Sequence, residues 1–121
     1  MLTSSKKTLG NNGELAVALY LIKNGFTILM KNFSIRGGEV DIIAQKADIL
    51  TFVEVKTRTN NYFNTSEVIT LSKQKKIILT AKYFISQHKY RDATYRFDVA
   101  LVDGVTQKVT YLENAFCENN Y

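Results

Sequence analysis

The sequence predicts a mixed α/β fold in the order α-β-β-β-α-β with one further strand, a central mixed sheet flanked by helices. Three observations point there. Two stretches have helical character, around residues 14–22 and 71–87. Between them lie three β-like runs separated by turn signals, and two more runs of strand character close the chain.

Asn11 or Asn12 can cap a first helix through Glu14-Leu15-Ala16-Val17-Ala18-Leu19-Tyr20-Leu21-Ile22, which stops at Asn24-Gly25. That helix is apolar on nearly every side, so it is expected to be largely buried. Phe26 to Ile35 reads as a strand, and Gly37-Gly38 supplies a tight turn into a second strand with Val40-Asp41-Ile42-Ile43-Ala44. Ala47-Asp48 is a weaker turn signal. The third strand, Ile49 to Thr57, is apolar on both faces until Glu54, as a central strand covered on both sides should be. Asn60-Asn61-Tyr62-Phe63-Asn64-Thr65 breaks all periodicity and reads as an exposed loop. A second helix follows from about Leu71 to Gln87, with Leu71, Ile78, Ala81 and Ile85 on one stripe. Tyr95 to Val102 and Val105 to Leu112 read as closing strands joined at Asp103-Gly104.

Length and composition fit one domain over residues 1–121. There is no internal repeat, low-complexity tract or proline. Sixteen Lys and Arg against eleven Asp and Glu leave a net charge of +5, which favours an anionic partner such as nucleic acid. Cys117 is the single cysteine, which excludes an intrachain disulfide and a thiolate zinc site. His88 is the lone histidine, which excludes sites built on histidine pairs. The basic start is not followed by a secretory apolar region, and the apolar run Leu15 to Ile22 is too short to span a bilayer. The expectation is a reduced, cytoplasmic setting with no membrane partner.

The chemistry centres on Asp41 and on Glu54-Val55-Lys56. Both acids sit in apolar strand-like runs, where a carboxylate is costly without a cation or hydrogen bonds. Alternation puts Glu54 and Lys56 on one face, and Glu39 with Asp41. If the two strands pair, two or three carboxylates and a lysine converge, an arrangement suited to a hard divalent cation beside a phosphodiester. Mg²⁺ or Mn²⁺ prefers carboxylates and water and polarises both. Asp41 and Glu54 would anchor it, with the Val55 carbonyl as a third oxygen. Lys56 could orient a water or stabilise the anionic transition state. The plainer reading is a buried ion-pair network.

These residues resemble a known group. The order and the Asp41…Glu54-Val55-Lys56 signature are similar to the restriction-endonuclease-like, or PD-(D/E)xK, nuclease superfamily. Gly13-Glu14-Leu15-Ala16, Gly38-Glu39-Val40-Asp41-Ile42-Ile43-Ala44, Phe52-Val53-Glu54-Val55-Lys56-Thr57-Arg58 and Arg96-Phe97-Asp98-Val99 resemble the YraN-like family of small bacterial proteins, itself similar to archaeal Holliday-junction resolvases. The resemblance spans roughly Gly10 to Phe116 and implies a restriction-endonuclease-like core and a metal-dependent endonuclease. The proline of the superfamily's name is absent, with Val40 in its place. A Gln-x-x-x-Tyr element is missing too, because Ile78 stands four residues after Gln74.

The resemblance also implies that Glu14 reaches the metal from the first helix. An acid in a first turn equally favours the helix dipole. Glu39 is a ligand, a hydrogen-bonding neighbour of one, or a solvated carboxylate near the turn. Arg58, Lys73, Lys75 and Lys76 suit contact with a DNA backbone, or are solvated surface charges. Arg96 and Asp98 read as a structural ion pair rather than catalytic groups. Tyr62 and Phe63 either stack on an unpaired base or pack locally.

Two functional classes follow: a metal-dependent deoxyribonuclease favouring branched or distorted DNA, and a non-catalytic nucleic-acid-binding or interaction module that keeps the fold. The full Asp-Glu-x-Lys set favours the first, since carboxylates facing DNA repel phosphate unless a metal lies between. A hydrolase of small phosphorylated substrates stands third, with only Gly37-Gly38 to hold a phosphate. Symmetric cutting of two strands would need a homodimer.

Overall fold

The computed structural model describes residues 5–59, 69–88, 90 and 92–118. The expected loop at 60–65, with Tyr62 and Phe63, lies outside the described residues. Among the described residues seven elements run in the expected order: α1 (Ser5–Lys23), β1 (Thr27–Ile35), β2 (Gly38–Lys46), β3 (Ile49–Arg58), α2 (Leu71–His88), β4 (Thr94–Asp103) and β5 (Val109–Phe116). The strands form one sheet in sequence order, β1-β2-β3-β4-β5. Of these five strands only β3 and β4 run parallel, and α2 lies in the crossover that a parallel pair requires. The other neighbours are antiparallel.

The helices cover opposite faces of the sheet. Val17, Ala18 and Leu21 of α1 pack with Ile42, Ala44, Val53, Ala100 and Val102. Ile77, Ala81 and Phe84 of α2 pack with Val40, Ile43, Leu50, Phe52 and Phe97. Each fully buried Val, Leu, Ile or Phe among them stabilises the fold by about 1.5–3 kcal/mol. β3 lies at the centre, so its side chains from Leu50 to Glu54 are buried without a break. Among the described residues no helix is long and apolar enough to cross a membrane.

Several expectations are corrected. α1 starts at Ser5, not at Asn11 or Asn12. Gly10, Asn11 and Asn12 are weak helix formers, but each costs at most about 1 kcal/mol inside a helix whose remainder is docked. The stop is as expected: Gly25 adopts a φ of 91°, and the Phe26 N–H reaches the Leu21 carbonyl at 2.9 Å. α1 is not largely buried, because Leu15, Leu19 and Ile22 are each more than half exposed. One face of the helix meets the sheet and nothing among the described residues covers the other. On α2 the fully buried stripe is Ile77, Thr80, Ala81 and Phe84. Ile78 and Ile85 sit at its margin, and Leu71 is exposed. β5 begins at Val109 because the Asp103 carboxylate accepts from the N–H groups of Val105 and Thr106, and that turn takes up Val105.

Gly13 explains how closely α1 approaches β3. A Cβ there would lie 2.2 Å from Thr57 Oγ1, so only a glycine lets the helix sit at this height. That contact fixes Glu14, the next residue, over the end of β3.

Candidate metal and nucleic-acid site

The site is built where the sheet forks. The β2–β3 ladder runs from Lys46↔Ile49 to Ile42↔Val53 and stops there. Side-chain alternation along β2 breaks at the same point. Ile42 and Ala44 face α1 and Ile43 faces α2, yet Val40, which strict alternation would send with Ile42, packs on the α2 side. Asp41 stands between, at the break. Its carboxylate accepts the Val55 N–H at 2.8 Å, replacing the main-chain partner that β2 no longer offers. In a strand, the N–H and C=O of one residue lie on the same edge, so the Val55 carbonyl also points to the side that β2 has left. Opposite Asp41 in β1, Asn32 has a φ of 52°, which an asparagine tolerates better than most residues.

Glu54 comes from the buried run of β3 and is 5% exposed. Its Oε2 lies 3.0 Å from Lys73 Nζ of α2 and 4.0 Å from Lys56 Nζ. The Glu54 carboxylate lies close enough to Asp41 to act on its charge. Burial, then the negative charge of Glu54, pushes the Asp41 carboxyl up to about 8 from 3.8, against the Val55 N–H that favours its charged form. Asp41 therefore keeps its proton at neutral pH.

Glu14, midway along α1 where Gly13 brings the helix against β3, has the Asn32 side chain beside it, which favours its charged form. Burial raises its carboxyl above the ordinary range, aided by the charges of Glu39 and Glu54. Lys73 feels the charges of Asp41 and Glu39 as well as that of Glu54; together they raise its ammonium above the ordinary range although burial opposes this.

The structure thus brings Asp41, Glu54, Val55 and Lys56 together. Glu14 and Glu39 stand around them, acting through space. No group of three His, Cys, Asp or Glu side chains among the described residues is drawn together tightly enough to hold an ion. The donors that meet are two carboxylates, with a carbonyl edge beside them. That set fits Mg²⁺ or Mn²⁺, which takes one or two carboxylates and keeps several waters. It does not fit zinc, which wants nitrogen or sulfur.

The basic residues separate. Lys73 does not stand free as a backbone contact but pairs with Glu54. Arg58, Lys75 and Lys76 are exposed, Arg58 at the end of β3 and the lysines on the first turns of α2. Arg96 and Asp98 form the expected ion pair, at 2.9 Å. Asp98 is fully buried and also accepts from Thr51 Oγ1, the Tyr111 hydroxyl and the Asn114 N–H, so its role is to tie β3, β4 and β5 together. Sequence reasoning missed Asn32. Its signal was present: an asparagine inside a strand run, where that residue is rare unless the backbone leaves the β region.

A model of the uncharacterised protein family UPF0102 matches residues 13–102, a span holding every residue of this site. A UPF0102 protein of Caldicellulosiruptor saccharolyticus is 44% identical over 99 residues, 81% of this chain and 84% of the relative. One from Clostridium perfringens is 43% identical over 115 residues, 91% of this chain and 94% of the relative. One from Vibrio campbellii is 35% identical over 117 residues, 94% and 96% of the two chains.

Proposed function

This chain belongs to the uncharacterised protein family UPF0102, and we propose that it is a Mg²⁺- or Mn²⁺-dependent endonuclease hydrolysing DNA phosphodiester bonds, with branched or distorted DNA favoured. One observation carries the reading: Asp41 and the buried Glu54 stand together at a fork in the sheet, where the β2–β3 ladder has ended and the Asp41 carboxylate takes the Val55 N–H. A nucleic-acid surface gains nothing from such a pair, since it repels phosphate unless a metal lies between.

Asp41, Glu54 and the Val55 carbonyl would hold the ion, with Glu14 and Glu39 reaching it through water. Bound there, the ion supplies a polarised water and neutralises charge at the scissile phosphate. Lys56, 4.0 Å from Glu54, would put a point charge beside the developing anion. Val55 holds Asp41 in one orientation through its N–H. Arg58, Lys75 and Lys76 present exposed charges that suit a DNA backbone. Such contacts carry no sequence information, so discrimination would come from DNA shape, as a branch point offers.

The competing reading is a non-catalytic nucleic-acid-binding or interaction module. The Lys73–Glu54 pair favours it, because a lysine already neutralises Glu54 without a metal. A cleavage panel separates the two: linear, flapped, forked and four-way DNA with Mg²⁺ or Mn²⁺, run beside Asp41→Asn. Cutting by the wild type that Asp41→Asn abolishes supports the nuclease. DNA binding with no cutting of any form supports the module.

A further inference from the structure

We infer that Lys73 is a built-in counter-ion which a divalent cation must displace from Glu54, and that the released ammonium then meets the phosphate of bound DNA. This rests on the metal-site reading above and adds a regulation of that site.

Four observations lead there. The same Glu54 oxygen faces two ammonium groups, and Lys73, at 3.0 Å, is closer than Lys56, at 4.0 Å. The two partners differ in freedom: the Glu54 side chain is 6% exposed and fixed in β3, whereas that of Lys73 is 47% exposed on a long flexible stem. Lys73 also occupies an unfavourable helix position. The Thr70 hydroxyl caps the N–H of Lys73, which places this lysine in the first turn of α2, where the helix dipole disfavours a cation. No acid stands in that turn to offset it. Its placement is explained by what it points at, since Glu54, Asp41 and Glu39 all act on it.

An ion bound by Asp41 and Glu54 would take the oxygen that Lys73 now holds. The ammonium and the ion then repel each other at short range, and the exposed partner is the one that can leave. Swung outward, Lys73 stands on the same helix turn as Lys75 and Lys76, at the edge where a phosphate would approach. In the empty site the lysine neutralises a buried acid, and in the loaded site the same charge is available to DNA. Metal loading and DNA binding are coupled through one side chain.

The test uses Lys73→Met, which keeps the stem and removes the charge, and Lys73→Arg, which keeps the charge. Circular dichroism melts establish that both are folded. By calorimetry with Mn²⁺ at pH 8, Lys73→Met is expected to bind the ion about three- to tenfold more tightly than wild type, the scale of a partly exposed ion pair no longer broken. Lys73→Arg stays near wild type, and the gain shrinks at high salt. Anisotropy with a labelled four-way DNA junction reads the second half. With Ca²⁺ present, Lys73→Met binds the junction several-fold more weakly than wild type; in EDTA the two bind alike, because the lysine is then engaged with Glu54. A lysine that merely supports the fold would give neither the tighter Mn²⁺ binding nor the metal-dependent DNA effect. Mn²⁺ binding by the wild type with unchanged or weaker binding by Lys73→Met overturns the counter-ion role alone. No Mn²⁺ binding by the wild type overturns the metal site itself, and this inference with it.

Discussion

Replacing Asp41 by asparagine should make the metal-free protein more stable, increasingly so as pH rises. The carboxyl of Asp41 titrates near 3.8 in an unfolded chain and near 8 in the folded one. Below about 4 both states are protonated and the residue is neutral in its effect. Between about 4 and 8 the unfolded state ionises while the native state keeps the proton, so stability falls with rising pH and levels off above 8. The rise in pKa, from 3.8 to about 8, corresponds at about 1.36 kcal/mol per pH unit to a ceiling of about 6 kcal/mol. The high effective dielectric of a protein site cuts such energies severalfold, so a difference of about 1–3 kcal/mol is expected at pH 9. Asparagine keeps an oxygen for the Val55 N–H and removes the repulsion from Glu54. For a chain of this size each kcal/mol moves Tm by about 4 °C. Thermal melts of wild type and Asp41→Asn in EDTA from pH 5 to 9 should therefore converge at the acid end and diverge at the alkaline end, the variant melting higher. Saturating Mn²⁺ should reverse the order, because a ligand at 100 times its Kd stabilises the wild type by about 2.7 kcal/mol and the variant little. Parallel Tm curves across pH in EDTA would refute the raised Asp41 carboxyl, whatever the protein does to DNA.

Lys56→Ala should lower the cleavage rate far more than junction affinity, since its charge matters most in the transition state; equal losses in single-turnover rate and affinity would make it an ordinary phosphate contact. Removing Arg58, Lys75 or Lys76 singly should flatten the dependence of log affinity on log salt by about one unit each on duplex DNA, measured by anisotropy between low and moderate salt. Asp98→Ala should cost about 3–5 kcal/mol in urea melts, because it strands the Arg96 charge and unties Thr51, Tyr111 and Asn114 together. An Asp98→Ala loss below about 1 kcal/mol would mean the network is not what holds β4 to β5.

What the sequence made legible, and what it did not, divides by physical range. β3 was readable because an unbroken apolar run bounded by a turn signal has one good home, the middle of a covered sheet, and Leu50 to Glu54 are indeed buried there. The β1–β2 hairpin was readable from Gly37-Gly38, whose first glycine adopts a φ of 98°. α1 misled twice. Its start was hidden because Asn11 and Asn12 look like caps whether or not they act as caps. Its burial was overestimated because an all-round apolar helix says nothing of how many neighbours the fold supplies. Asp41, Glu54 and Lys56 could be singled out by residue type and spacing alone. That Asp41 takes the Val55 N–H could not, since it depends on where the β2–β3 ladder ends. The pairing of Lys73 with Glu54 was equally hidden, because a lysine cluster at a helix start looks the same on a solvated face and over an acidic site.

The sheet carries its own control for the functional reading. Asp98 and Asp41 are acids on neighbouring parts of one sheet, and they are built differently. Asp98 is fully buried and meets a full set of donors from Thr51, Arg96, Tyr111 and Asn114, as an acid kept for stability should. Asp41 has one described donor, the Val55 N–H, and faces a second carboxyl instead of a cation. Networks left partly satisfied in a core are costly, and the cost persists where the missing partner arrives from outside. The same sheet thus holds one acid, Asp98, with a full set of donors and another, Asp41, with one. Asp41 lies at the fork, and Lys56 and Lys73 face its neighbour Glu54. That contrast within one molecule supports the nuclease reading independently of any resemblance.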